Sequence, residues 1–240
     1  MQVEVLGTGS AGNCYKVEIG RSTLLLECGL PFKVIQRKLG FKLSDIDACL
    51  VTHEHMDHAK AVKDLMRAGV DCYMTEGTAE ALELKGHRLK TFNTWAEQKY
   101  KTTHLNDILI QPFEAVHDVA EPVSFFIQTK DDDESLVFVT DTAYLKYKIM
   151  DCDVLMIECN YVKGKLDENM EQGKINTSLR NRIVRNHLSL EGLIDALQVA
   201  DLKRKKLKKI YLLHLSDSNS DEELIKRTIQ EITGVEVVVA

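Results

Sequence analysis

No two cysteines in this chain stand as C-x-x-C. The six, at positions 14, 28, 49, 72, 152 and 159, are scattered, which argues against a zinc ribbon or a thioredoxin-like site. They fall in apolar stretches such as Ala48-Cys49-Leu50-Val51 and are expected to be small buried hydrophobes in a reducing cytosol. Prolines number only three, beside 13 glycines, so long flexible linkers are not expected. No run approaches the ~20 apolar residues of a membrane helix. Met1 to Leu6 reads as a strand rather than a basic-then-apolar leader, and the expected compartment is the cytoplasm. Aromatics make up 6% of the chain, which gives little support to base stacking on an aromatic platform. No repeat and no low-complexity tract is visible. What remains is 44% hydrophobic and 28% charged over 240 residues, the profile of a soluble globular protein with a sizeable core, in one large domain or two small ones.

Charge is unevenly spread. The net value is −6, yet Lys163 to Lys209 alone carries an excess of six positive charges. An acidic protein with one basic segment is not a general nucleic-acid coat, but it can hold a phosphate backbone along one side. Arg180, Arg182 and Arg185 precede His187 and are expected to line a path to it. Lys203 to Lys209 reads as a solvated helix end. Asp131-Asp132-Asp133-Glu134 reads as a solvated hairpin tip, not a metal site.

Alternating apolar residues predict three strands within the first 30 positions, with a Gly-rich turn over Gly7 to Asn13. Helices are predicted over Phe32–Leu39, Ala59–Ala68, Thr78–Leu84, Leu188–Ala200 and Glu222–Ile232. Buried strands are predicted at Asp45–Thr52, Val70–Met74, Ile108–Ile110, Val123–Thr129, Leu136–Val139, Val154–Ile157, Ile210–Leu213 and Val235–Val239. Two strand-rich halves with helices predict two packed sheets, helices outside.

The chemistry concentrates at Thr52-His53-Glu54-His55-Met56-Asp57-His58, directly after a buried strand. Three histidines and an aspartate within six residues at a strand end can converge, and imidazole with carboxylate suits zinc, manganese or iron. Three more candidates close apolar runs elsewhere: His117 after Phe113-Glu114-Ala115-Val116, Asp141 after Val137-Phe138-Val139-Thr140, and His214 after Ile210-Tyr211-Leu212-Leu213. Seven ligands are the right inventory for two metals.

His53-x-His55-x-Asp57-His58 followed in order by His117, Asp141 and His214 resembles the signature of the metallo-β-lactamase superfamily. The resemblance implies an α/β fold, the αββα four-layer sandwich, with two mixed β-sheets face to face and helices outside. It also implies that His53, His55 and His117 hold one metal, Asp57, His58 and His214 the other, and that Asp141 bridges them. Gly9-Ser10-Ala11-Gly12-Asn13, His117-Asp118 with Pro122, Glu158-Cys159-Asn160, His187-Leu188-Ser189 and His214-Leu215-Ser216 are similar to the WalJ/YycJ-type branch, which is related to tRNase Z and the phosphodiesterases. That branch implies a Glu158–His187 dyad acting as proton donor. The chain departs from the pattern at Glu27-Cys28-Gly29, where an aspartate is usual, at Ala59-Lys60-Ala61 and Ala143, where glycines are common, and at Leu190, where asparagine is frequent. No metal ligand is lost by these departures; substrate choice is what they bear on.

The expected chemistry is metal-assisted hydrolysis of a phosphodiester in DNA, RNA or a small molecule. Two divalent cations, zinc with manganese as the alternative, would lower the pKa of a shared, metal-bridging water and neutralise the developing charge. Asp57 would orient the nucleophile, His187 would protonate the leaving group, and Ser10 and Asn13 would offer hydrogen bonds to substrate. The competing expectations are a thioesterase or lactonase on the same ligands, and a non-catalytic metal-binding regulator. Only 26 residues follow His214, fewer than the helical C-terminal domain of glyoxalase II needs. Many β-lactamases carry cysteine where Asp141 stands, which makes that activity the weaker expectation.

Overall fold

The computed structural model describes residues 1–92, 100–131, 133–200 and 206–240. It comprises two compact units, Met1–Glu114 with Val119–Ser135, and Ala115–Asp118 with Leu136–Ala240.

The first unit holds a six-stranded mixed sheet in sequential order: β1 (Gln2–Gly7), β2 (Cys14–Ile19), β3 (Ser22–Leu26), β4 (Ala48–Leu50), β5 (Asp71–Met74) and β6 (Leu89–Thr91). The first three pair antiparallel, since a Gly-rich turn and Gly20-Arg21 suffice to join them. From β3 onward the pairing is parallel, and the connections carry helices α1 (Phe32–Lys38), α2 (Met56–Ala59), α3 (Val62–Arg67) and α4 (Glu76–Ala81). Parallel strands are usually covered on both faces and therefore read as continuous apolar runs. Leu24-Leu25-Leu26 and Ala48-Cys49-Leu50 are buried throughout, each leucine contributing about 2 kcal/mol of transfer free energy. Strands β7 (Thr103–Leu105), β8 (Ile108–Glu114) and β9 (Val123–Thr129) pair antiparallel in the same unit.

The second unit aligns β10 (Ser135–Val139), β11 (Val154–Glu158), β12 (Lys209–Leu213) and β13 (Glu236–Val239) in parallel. Its helices are α5 (Lys163–Glu171), α6 (Thr177–Asn186), α7 (Leu190–Val199) and α8 (Glu222–Thr233). On α7, Leu190, Leu193 and Leu197 bury one face, the i, i+3, i+7 stripe of an amphipathic helix. Each of the last three helices has a side-chain N-cap: Asn176 accepts from Leu179 N, Ser189 from Gly192 N, and Asp221 from Leu224 N.

The predicted strands are present, some longer, as β8 is to Glu114, and some shorter, as β4 is, with only Ala48–Leu50 of the predicted Asp45–Thr52 in the strand; β6 and β7 were not predicted. The helix predicted over Ala59–Ala68 is α3, shorter at both ends, and a short unpredicted helix, α2, precedes it over the histidine cluster. The break falls at Lys60-Ala61, where Ala61 N turns away to donate to Cys28 O. Helices α5 and α6 were not predicted, because α5 buries only Leu166 and Asn169 and α6 only Asn186, leaving almost no apolar period to read. All six cysteines are free and buried, as expected. Residue 132 of the acidic tip and residues 203–205 of the lysine run lie outside the described residues.

One close approach fixes the metal-capable loop. A Cβ on Gly29 would lie 1.7 Å from Asp57 O, so only glycine fits there. We expect Gly29→Ala to destabilise the fold by about 3 kcal/mol or more, read as a lowered urea midpoint. Gly164→Ala meets nothing within 4 Å at its helical position and should be neutral or stabilising by up to about 1 kcal/mol.

Candidate metal centre and acid pair

In the first unit, β4 ends at Leu50 and the chain runs through Val51 and Thr52 to His53. His55 is the N-cap of α2, and Asp57 and His58 lie inside this short helix rather than in an open turn. The helix is held from behind. Asn13 N donates to Asp57 O at 2.7 Å, Cys28 N to His58 O at 2.7 Å, and Gly29 N to Asn13 O at 2.8 Å. The donors then face one another: His53 Nε2 and His55 Nδ1 are 3.2 Å apart, His58 Nε2 is 3.5 Å from Asp57 Oδ2, and the His53 and His58 rings are 4.1 Å apart between centroids. Thr52 Oγ1 lies 2.9 Å from His53 Nδ1, which orients that imidazole.

Two residues outside the loop support it. Glu27 is fully buried, receives Thr52 N at 3.2 Å and sits 3.8 Å from His58 Nδ1. Burial raises its pKa, and His58 and Thr52 only partly offset this. Asn13 is likewise buried. Its Oδ1 accepts from Gly9 N and Tyr15 Oη, and its Nδ2 donates to Asp57 O and lies 3.1 Å from His58 Nε2. Asn13 is thus occupied in bracing the ligand loop, whereas Ser10, in the turn after β1, is exposed.

In the second unit, Asp141, Glu158, His187 and His214 bring one ligand atom each within 4.8 Å of one another. Asp141 follows β10, Glu158 ends β11, and His214 follows β12. Parallel alignment of three adjacent strands places their C-terminal ends side by side. Asp141 and His214 both hold left-handed backbone, φ 31 and φ 53, a costly state for a residue with a Cβ and one concentrated at functional sites. His117 Nε2 lies 3.7 Å from Asp141 Oδ2, and its Nδ1 donates to Asn186 O at 3.0 Å. Asn160 Nδ2 reaches both the ring and the carbonyl of His214.

Glu158 is entirely buried. It accepts from Thr142 N at 3.1 Å, Leu188 N at 3.0 Å and His187 Nδ1 at 2.6 Å. Burial alone would raise its carboxyl pKa, but the facing His187 and His214 outweigh it and hold the pKa below the ordinary value. For His187 burial pulls downward, and the Glu158 carboxylate wins and raises the imidazole. His187 is the C-cap of α6, where the helix dipole also favours a protonated ring. An imidazole bonded through Nδ1 to a buried carboxylate presents its other nitrogen as a proton donor.

All seven ligand candidates and both members of the acid pair are therefore found in two donor-rich groups, one in each unit. Both groups offer only imidazole nitrogen and carboxylate oxygen, a donor set that fits zinc or manganese. In the sequence Glu27 reads only as a departure from the family pattern and Asn160 only as part of the branch motif, while Thr142 carries no signal. Glu27 closes the apolar run Leu24-Leu25-Leu26, the same strand-end signal that identified Asp141. Arg180 does not serve as expected: its Nε is 2.6 Å from Asp167 Oδ1, a pairing set by the contact of α6 with α5. Arg182 and Arg185 are exposed.

Residues 24–214 match the family model described as Beta-lactamase superfamily domain. The chain is 34% identical to "Exodeoxyribonuclease WalJ" of Streptococcus pneumoniae serotype 2 (strain D39 / NCTC 7466), across 94% of this chain and 85% of the relative. It is 28% identical to "Exodeoxyribonuclease YycJ" of Bacillus anthracis, across 97% and 89% of the two chains. Among solved structures, the metallo-β-lactamase fold protein YhfI from Bacillus subtilis superposes with a TM-score of 0.73 at 18% identity, across 99% of this chain and 95% of that one.

In metal-stripped protein, Glu158→Gln should lower the His187 pKa from its raised value, since the largest counterweight to burial is removed and only Asp141 still raises it. Imidazole NMR titration measures this. The pair's sign is definite. The raised His187 contributes stability below pH ~6.5 that is lost as pH rises through its folded pKa, and the lowered Glu158 contributes above pH ~4.5 and is lost as pH falls through its folded value. The stability gap between parent and variant should therefore be widest between those limits.

Proposed function

The chain belongs to the metallo-β-lactamase superfamily, and from that membership we propose that it is a metal-dependent nuclease that hydrolyses phosphodiester bonds at the ends of DNA. The expected αββα sandwich is the fold of that family, and the chain is a metallo-hydrolase. The family match takes in residues of both units, which supports one catalytic domain over 1–240. The observation that carries the nuclease reading is the 2.6 Å Glu158–His187 pair. Two relatives named exodeoxyribonucleases favour DNA over RNA, and attack at a chain end.

The ligand assignment follows the family: His53, His55 and His117 for one cation, Asp57, His58 and His214 for the other, Asp141 shared. Zinc is the proposed metal, with manganese compatible with the same nitrogen and oxygen donors. When bound, the cations supply a nucleophile at neutral pH and Lewis acidity toward phosphate oxygens. The protein's own part is to position and to move protons. Asp57 orients the attacking group. His187, charged and held through Nδ1 by Glu158, delivers its remaining proton to the departing alkoxide. Ser10, exposed beyond β1, offers a hydrogen bond to substrate, and Asn13 is assigned to positioning the loop. A thioesterase has less use for the pair, because a thiolate leaves without a proton more readily than an alkoxide does.

The test supplies zinc or manganese and three substrates: bis(p-nitrophenyl) phosphate and 5′-phosphorylated single-stranded DNA and RNA. Metal-dependent hydrolysis abolished in a His55→Ala, Asp57→Ala double variant is expected. A metal-loaded protein that leaves all three intact but opens thioesters or lactones would sink the reading. His187→Ala should lower kcat on DNA about 10²- to 10⁴-fold. On bis(p-nitrophenyl) phosphate the loss should be much smaller, since p-nitrophenolate departs without a proton.

A further inference from the structure

Two tyrosines next to Asp141 remain outside this chemistry. Tyr144 is 55% and Tyr147 50% exposed, among the largest exposures of any aromatic in the described chain. Buried aromatics elsewhere stabilise cores, but half-exposed rings gain little for the fold, and two on one short loop call for a use. They alternate with lysines in Tyr144-Leu145-Lys146-Tyr147-Lys148, and both lysines are exposed. Loop and helix α7 together line a cavity of ≈ 350 Å³. Ala196 and Val199 form its apolar wall, and Asp195 contributes one carboxylate, leaving the lining net positive.

The loop is not loosely attached. Thr142 Oγ1 donates to Tyr144 O at 2.8 Å and accepts from Val116 N at 3.0 Å. Ala143 N donates to Val116 O at 2.8 Å, and Thr142 N donates to Glu158. The loop's first residues are thereby tied to the carboxylate of the acid pair and to the neighbour of His117. Aromatic faces alternating with ammonium groups fit unpaired bases that stack while their phosphates meet the lysines. A paired duplex hides its base faces and fits less well.

We propose that Tyr144, Lys146, Tyr147 and Lys148 form a stacking and phosphate-binding platform for single-stranded nucleic acid. The proposal deepens the nuclease reading and rests on it: it names an unpaired strand as the polymer the same site receives. Low aromatic content had pointed away from such a platform; two rings suffice when both stand on one anchored loop.

The test is fluorescence anisotropy of a labelled, phosphorothioate-linked oligodeoxythymidylate and of a duplex of equal length, on the metal-loaded full chain. Tyr144→Leu with Tyr147→Leu should weaken single-strand binding about tenfold per ring. Tyr144→Phe with Tyr147→Phe should retain it, since stacking needs the ring and not the hydroxyl. Lys146→Gln with Lys148→Gln should flatten the logarithmic salt dependence by about 0.7 per lysine. Unfolding midpoints of all variants should match the parent, because these side chains are half-exposed. The platform is overturned if the leucine variant binds like the parent, if the phenylalanine variant loses as much as the leucine one, or if the parent binds duplex more tightly than single strand. Tyrosine-dependent binding without cleavage of an ordinary oligonucleotide would instead remove the nuclease reading and leave the platform standing.

Discussion

The second unit depends on a carboxylate that keeps its charge while fully buried. An isolated ion in that position would cost several kcal/mol, yet Glu158 is held below its ordinary pKa. Three donors from two segments make this possible: the amide of Thr142 from one, and the imidazole of His187 with the amide of the next residue, Leu188, from the other. Those segments carry Asp141, the tyrosine loop and the start of α7. Removing one partner of such a pair typically costs about 3–5 kcal/mol because the other charge is left uncompensated. One buried charge therefore sets the spacing among Asp141, His187 and the loop beside them.

The first unit reaches the same end by contact rather than charge. Its ligand loop is clamped by backbone bonds from Asn13 and Cys28 and by the absence of a side chain at Gly29. Glu27, longer by one methylene than the usual aspartate, extends toward the Thr52 amide and His58 from a left-handed backbone, φ 64. The departure from the family pattern thus preserves a carboxylate behind the His58 ring, an arrangement that orients an imidazole and raises its basicity.

Surface cations of the second unit meet different neighbours. Arg180 is taken by Asp167. Lys146 and Lys148 stand beside exposed rings, where cation and aromatic face together recognise a strand more selectively than charge alone. A site built this way separates chemistry, held by buried groups, from polymer recognition, held by an exposed loop on an anchored base. The separation allows recognition to vary without disturbing the buried charges.

Much of this was legible in sequence. Each strand that ends in a site residue is a short apolar run closed by one polar side chain, and that contrast between burial and polarity marked Asp141, His214 and the loop after β4. The pattern of ligands and their order carried the fold family as well. What sequence could not show is which polar groups support which. Helices α5 and α6 have almost no buried face, so no period betrays them, and with them went the pairing of Arg180. Asn13 read as a substrate contact because a Gly-rich turn looks open along the chain, and only packing against residues 44 and 45 positions away closes it. Local polarity and period determine what a segment is. Tertiary structure decided which of those segments meet, because hydrogen bonds and buried charges are satisfied across distances that no local pattern encodes.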